Sequence, residues 1–354
     1  MFNKTLVIGI ILFFIFISIT PSTAVDTINK SYISTDKGNT LYVGGSGPDN
    51  YSIIQDAVDD AEDGDTVFVF DDSSPYIENL IVNKAIELVG EDKYTTIIDG
   101  NKTKDVVKIV TDGVILIGFL IKNGTNGIQI FSKNNTINAN IITDNKFYGI
   151  ILDKTCYNVI TGNNISNNGG GIEIWESRDN IVIENEIVYN IGNYVNFGIY
   201  LSRSDCNNIS NNFISSSPIN IHLSSSNENI ISQNVVSKGR HRGIQLHFAD
   251  DNTILRNTIS STFYVGLQIE SKRNKVLQNN FINNTNHSSF TFIFKTVLGL
   301  NFNKWDGNYW DDWIGHKNPL YKIFPKIIKG ILTRSNKFPI LAFDWHPAKE
   351  PYKI

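Results

Sequence analysis

Between Gly127 and about Asn280, apolar and polar residues alternate with period two in short runs, and the runs recur on a fixed step. The unit opens at Gly127, Gly149, Gly171, Gly198, Asn220, Gly243 and Gly266, so most steps are 22 or 23 residues and one is 27. Its first run is small, apolar, variable, apolar: Gly149-Ile150-Ile151-Leu152, Gly171-Ile172-Glu173-Ile174, Gly198-Ile199-Tyr200-Leu201, Gly243-Ile244-Gln245-Leu246. An asparagine follows at Asn158, Asn180, Asn207, Asn229 and Asn252, and a second at Asn163, Asn185, Asn212, Asn234 and Asn257. Each is followed two residues later by Ile or Val, as at Ile160, Val182 and Ile209, then Ile165, Ile187 and Ile214.

Runs this short are strands rather than helices. Three of them per repeat, separated by Asn/Gly/Ser corners, predict a β-solenoid whose coils stack about 4.8 Å apart. The inward Ile, Leu and Val form continuous columns, each side chain contributing about 1.5–3 kcal/mol on burial. Asparagine is expected at the corners because it tolerates left-handed backbone and bonds locally. Stacked copies form hydrogen-bonded ladders. The fold class is therefore all-β.

The repeat Gly-Ile-x-Ile-x5-Asn-x-Ile-x2-Asn resembles that of right-handed parallel β-helices of the pectate-lyase-like superfamily. Upstream, Glu78-Asn79-Leu80-Ile81-Val82-Asn83-Lys84, Ile86-Glu87-Leu88-Val89-Gly90-Glu91, Thr96-Ile97-Ile98-Asp99-Gly100 and Gly118-Phe119-Leu120-Ile121-Lys122-Asn123-Gly124 are similar to the NosD-like subgroup and its archaeal surface members. So are Gly307-Asn308-Tyr309-Trp310 and the tail Phe343-Asp344-Trp345-His346-Pro347. The resemblance covers about residues 41–354. It implies the fold, and a function drawn from binding, carbohydrate processing or copper-site maturation.

Residues 1–24 have a basic start at Lys4, an apolar run from Leu6 to Ile19 and a small-x-small end at Ser22-Thr23-Ala24, as a secretory signal peptide does. The rival is an uncleaved anchor. Both place the remainder outside the cytoplasm, secreted or at the cell surface. Residues 25–40 are predicted to be a flexible lead-in, 41–300 the β-helix, and 301–354 an aromatic cap and tail. Tyr51 to Ala61 predicts a short helix, with Ser52 and Gln55 at capping-box spacing and an apolar face that closes the solenoid's first end. Trp305, Trp310 and Trp313 are expected to plug the other end, with a sugar-binding platform as the alternative. Lys322 to Leu332 reads as an extended strap along the flank, with membrane contact as its alternative. Cys156 and Cys206 fall near one corner two coils apart, about 9–10 Å. That exceeds the roughly 7 Å limit for a disulfide, so both thiols are expected to be unpaired and largely buried.

A net charge of −4 gives no reason to expect nucleic acid. The outward positions of the first strand read Gln129/Phe131, Ile151/Asp153, Glu173/Trp175, Tyr200/Ser202, His222/Ser224, Gln245/His247 and Gln268/Glu270. Acids, amides, imidazoles and aromatic rings on one face suit carbohydrate, so Glu173, Trp175, Tyr200, His222, Gln245 and His247 are the candidate ligand-binding residues. The expected partner is a carbohydrate or cell-envelope polymer, and the expected state is a monomer with membrane contact only through an uncleaved leader. Asp153 and Glu173, one coil apart, are the candidate catalytic pair for a lyase or hydrolase. Corner acids Asp179, Asp205, Glu228, Asp250 and Asp251, with Arg178 and Arg273, offer a calcium-and-arginine alternative. No cofactor is required by these patterns. For copper, which the resemblance raises, the candidates are His222, His241 and His247. A third reading is a stiff structural spacer in the envelope. Among the Asn-x-Ser/Thr sequons, Asn101 and Asn286 are the candidate glycan acceptors.

Overall fold

A 22-residue step closes on itself when each coil gives one strand to each of three faces. In the computed structural model, which describes residues 38–193, 197–293, 302–333 and 337–354, it does so: twelve strands form sheet A, eleven sheet B and twelve sheet C. Every pairing along the solenoid is parallel, so this is a parallel β-helix. Residues 1–24, expected to be a signal peptide, and nearly all of the expected lead-in lie outside the described residues.

The constant step fixes the register. In sheet C, Ile150, Ile172, Ile199, Ile221, Ile244 and Leu267 pair in succession, all fully buried. Sheet A stacks Ile137, Ile160, Val182, Ile209, Ile231, Ile254 and Val276 and ends on Trp305. Sheet B stacks Ile142, Ile165, Ile187, Ile214, Val236, Ile259 and Phe281 and ends on Trp310. Trp310 lies flat on Phe281, their centroids 4.2 Å apart. The tryptophans are thus the last rungs of the core columns, buried as the cap reading requires. Most openings need glycine: a Cβ on Gly171 would come within 2.2 Å of the Gly198 carbonyl oxygen, whereas the coil that opens at Asn220 accommodates a buried side chain.

The ladders differ from expectation in one respect. The left-handed residue at each corner is the one before the ladder asparagine: Tyr157, Asp179, Glu184, Cys206, Asn211, Arg273. The ladder asparagines are kept for their side chains. The backbone N–H and Nδ2 of Asn163 both donate to Asn185 Oδ1, those of Asn185 to Asn212, and those of Asn212 to Asn234. The same linkage runs from Asn158 through Asn180 and Asn207 to Asn229. These buried amides satisfy the corner backbone of neighbouring coils, which an apolar residue cannot do.

At the first end, the strand Thr40–Val43 precedes the helix and pairs with Thr66–Val69, a coil the sequence did not disclose. The helix spans Ile54–Asp60 and buries Ile54, Ala57 and Val58. The Ser52/Gln55 capping box does not form. Instead the Glu78 carboxylate accepts the Ile54 and Gln55 N–H groups at 2.9 and 3.0 Å. Gln55 uses its side-chain amide to pair with both backbone groups of Ile81, covering the open edge of sheet C. At the other end the strap is a strand. Lys326–Thr333 joins sheet C and turns back antiparallel as Lys337–Asp344. The preceding strand is Ser288–Ile293. Both cysteines are unpaired, but Cys206 is exposed and Cys156 only half-buried. Residues beside the ladder point their side chains away from the core, which corrects the buried-thiol expectation.

Candidate ligand-binding face

Sheet C has the six-residue strands, and its outward columns are those read from the alternation. Gln129, Ile151, Glu173, Tyr200, His222, Gln245 and Gln268 follow one another in register. Asp153, Trp175, Ser202, Ser224, His247 and Glu270 form the parallel column two residues along. A third outward column, one residue before the opening glycine, contributes Tyr148, Phe197 and Arg242. Continuing the alternation one step backwards would have exposed it.

The aromatic rings are partly covered by their neighbours. Tyr200 is stacked with Phe197 (4.6 Å) and with His222 (5.2 Å). Lys154 from the coil before and Arg203 from the coil after both sit over the Trp175 ring, and both pair with Glu176. Phe197 and His222 are themselves 5.0 Å apart, so the three rings form one cluster rather than a row of separate stacking faces. Burial, with a smaller contribution from Asp153, pushes the Glu173 carboxyl up to about 7. Burial, then the neighbouring His247 and Arg242, pushes His222 down to about 4. Neither His222 ring nitrogen has a hydrogen-bond partner. Burial and Glu173 raise the Tyr148 hydroxyl.

Towards the C-terminal end the face becomes a hydrogen-bonded relay. Arg242 Nε donates to Gln268 Oε1, Gln268 Nε2 donates to Glu270 Oε1 at 2.6 Å, and Glu270 Oε2 meets His247 Nδ1 at 2.7 Å. Arg242 and Gln268 line a groove of about 730 Å³ whose other walls include Asn283, Asn284, Asn286 and Lys326.

His287, Asp311 and Asp312 also line this groove, and they are the group of potential metal ligands found among the described residues. Asn284 gives its amide oxygen to the Thr262 N–H, so its Nδ2 points at His287 Nδ1, 3.3 Å away. That leaves His287 Nδ1 as the acceptor and puts the proton on Nε2, which faces Asp311 at 2.7 Å and Asp312 at 3.3 Å. Lys326 holds Asp312 as well. The arrangement is a closed hydrogen-bond network, not three lone pairs turned to an ion. His222, His241 and His247 do not converge either: His222 is in the ring stack, and His247 is bound to Glu270 one column over. Of the corner acids, Asp179 pairs with Arg178, and Asp250 and Asp251 pair with Arg273. Asp205 accepts the Asn227 N–H. Asn101 is exposed; Asn286 is exposed but ties its amide to the Tyr264 carbonyl on the groove wall.

The family described as "Periplasmic copper-binding protein (NosD)" matches residues 24–217 and 192–315. A "Cell surface glycoprotein" of Methanothermus fervidus is 28% identical over 200 residues, 47% of this chain and 33% of that protein. The chain thus spans a third of that relative's length. Among solved structures, the complex of XylC with xylose aligns with a TM-score of 0.58 at 12% identity, covering 72% of this chain and 75% of that one. The pectate lyase Pel9A aligns with a TM-score of 0.54 at 12% identity, covering 78% and 81%. At such identities the likeness is one of fold. The described residues do not suit the copper of the family description. Cys156 and Cys206 are two coils apart, the sequence's one methionine is Met1, and His222 and His247 stand in different outward columns, with His247 bound to Glu270 and His287 to Asp311.

Proposed function

The chain belongs to the NosD family, and on that premise we propose that it is an exported, cell-surface or extracellular β-helix protein that binds carbohydrate along the outward face of sheet C. The family description and the name of the Methanothermus relative both place similar proteins outside the cytoplasm. The observation that carries the sugar reading is the Arg242–Gln268–Glu270–His247 relay opening onto an amide-lined groove, in line with Glu173, His222 and Gln245. Sugar hydroxyls both donate and accept. A fixed row of amide, carboxylate and imidazole groups answers both needs with little reordering on binding. With cations over the Trp175 ring, contacts there run through ring edges, and Tyr200 offers its hydroxyl beside the relay.

A second reading, hydrolysis of the bound polymer, draws on Glu173. A carboxyl near 7 is protonated enough to act as general acid on a glycosidic oxygen, with Asp153 as the base that activates water. The two lie on adjacent strands, offset by two residues. That puts their backbones about 8 Å apart, wider than the roughly 5 Å of directly paired neighbours and so leaving room for a water between the two side chains.

The test is a glycan array on the purified protein with and without calcium and copper, with products read by mass spectrometry. Retained, intact glycan that is lost in Gln245→Ala/Gln268→Ala at unchanged melting temperature supports binding. Shortened products lost in Glu173→Gln move the assignment to hydrolysis. A blank array from folded protein overturns both and leaves a structural spacer.

A further inference from the structure

Charge is divided unevenly along the chain. Residues 314–354 carry eight Lys and Arg against two Asp and Glu, an excess of six positive charges in a protein whose net charge is −4. The same segment forms the terminal hairpin of sheet C. Its inward side is ordinary: Ile328 and Asp344 are buried. Its outward side is not. Ile327 pairs with Phe343, and Lys329 with Leu341. Ile327, Ile331, Leu341 and Phe343 are all exposed, as is Trp345, whose ring lies 5.4 Å from that of Phe343. The turn leading into the hairpin adds Leu320 and Ile323, which are 79% and 83% exposed, on either side of exposed Lys322. Elsewhere on sheet C the outward residues are mainly polar or form a self-stacked column; here they are aliphatic and aromatic with lysines among them.

A contiguous apolar patch on an otherwise polar surface marks a contact, and its charge selects the partner. We propose that the outer face of this hairpin, with the Leu320–Phe324 turn, docks the protein on the anionic headgroup surface of a lipid bilayer. The aliphatic and aromatic side chains enter the headgroup boundary, while the lysine stems lie along them and keep their ammonium groups among the phosphates. A second copy of the same face would bring two basic excesses together, which repel. Among the described residues no helix is long and apolar enough to cross a membrane. The docking face does not use the Arg242–Gln268–Glu270–His247 relay, but Ile327, Lys329 and Ile331 also line the groove onto which that relay opens, so Lys322→Ala, outside the groove, is the variant that tests docking alone.

The experiment is co-sedimentation of the full chain with vesicles of phosphatidylcholine mixed with phosphatidylglycerol, against phosphatidylcholine alone. Expected is binding to the mixed vesicles that weakens as salt shortens the screening length. Lys322→Ala and Lys329→Ala should each weaken partitioning about five-fold, and Leu341→Ser/Trp345→Ser should weaken it further. Both lysines are exposed, so their variants should melt with the wild type, which separates a lost contact from a lost fold. No sedimentation with mixed vesicles, or equal and salt-insensitive binding to both compositions, overturns the proposal. So does concentration-dependent self-association abolished by Leu341→Ser, which would assign the face to another copy of the chain.

Discussion

The carboxylate of Asp344 accepts both the backbone N–H and the side-chain amide of Asn308, each at 2.9 Å. Asn308 is the last asparagine of the ladder that passes through Asn257 and Asn279. Asp344 also takes the Trp310 indole N–H at 3.1 Å. One buried acid from the returning hairpin thus terminates a ladder and fixes the final tryptophan.

Replacing it should be costly. Asp344→Ala leaves three buried donors without an acceptor, each worth about 1–3 kcal/mol. Denaturant melts should show a loss of several kcal/mol, with Trp310 emission shifted as the cap loosens. A loss under about 1 kcal/mol would mean that water replaces the carboxylate readily.

Along the ladder, amide and left-handed residue should separate cleanly. Asn212→Ala removes the acceptor for the Asn185 N–H and the donor to the Val182 carbonyl, and should destabilise by about 2–5 kcal/mol. Glu184→Gly relieves a left-handed glutamate but loosens the unfolded chain, and should stay within about 1 kcal/mol of wild type. Equal effects of the two changes would contradict the division of roles.

Glu173 and His222 should oppose each other in the pH dependence of stability. Glu173 has a folded pKa raised from 4.5 to about 7, so the folded state holds its proton longer and stability falls as pH rises between those values. His222 is lowered from 6.5 to about 4, so the unfolded state binds the extra proton and stability rises with pH over the overlapping window. The melting temperature of Glu173→Gln should therefore climb with pH between about 4 and 6.5, and that of His222→Asn should fall between about 4.5 and 7. Parallel profiles for the two variants would refute the opposition.

The thiols should differ in reactivity. Cys206 is exposed and Cys156 half-buried, so alkylation followed by mass spectrometry should label Cys206 first. Burial, then the Glu228 carboxylate, raises the Cys206 pKa. Glu228→Gln should accordingly quicken labelling at neutral pH, because a larger fraction is thiolate.

Much of this was legible in the sequence because a constant step and period-two alternation together dictate register. They placed Glu173 beside Tyr200 and Tyr200 beside His222 without coordinates. They did not reveal what occupies the ring faces. Phe197 comes from the one coil with a 27-residue step, and the cations over Trp175 follow the strand ends, where alternation stops. Contacts spanning irregular sequence were hidden too. Asp344 lies 36 residues beyond Asn308, and Asp311 meets His287 across a segment with no repeat. The buried-thiol expectation failed because it assigned corner residues to the core, whereas the ladder asparagine alone turns in at that point.

That arrangement separates two kinds of freedom. The amides that join coil to coil are buried, but the residue preceding each one faces outward in a backbone shape that Tyr157, Glu184, Cys206 and Arg273 all accept. Beyond excluding the β-branched side chains that left-handed backbone disfavours, the scaffold leaves identity at these corners open. A chain built this way can rewrite the chemistry of its exterior one corner at a time while its interior stays fixed, so its outer surface can diverge far faster than its fold.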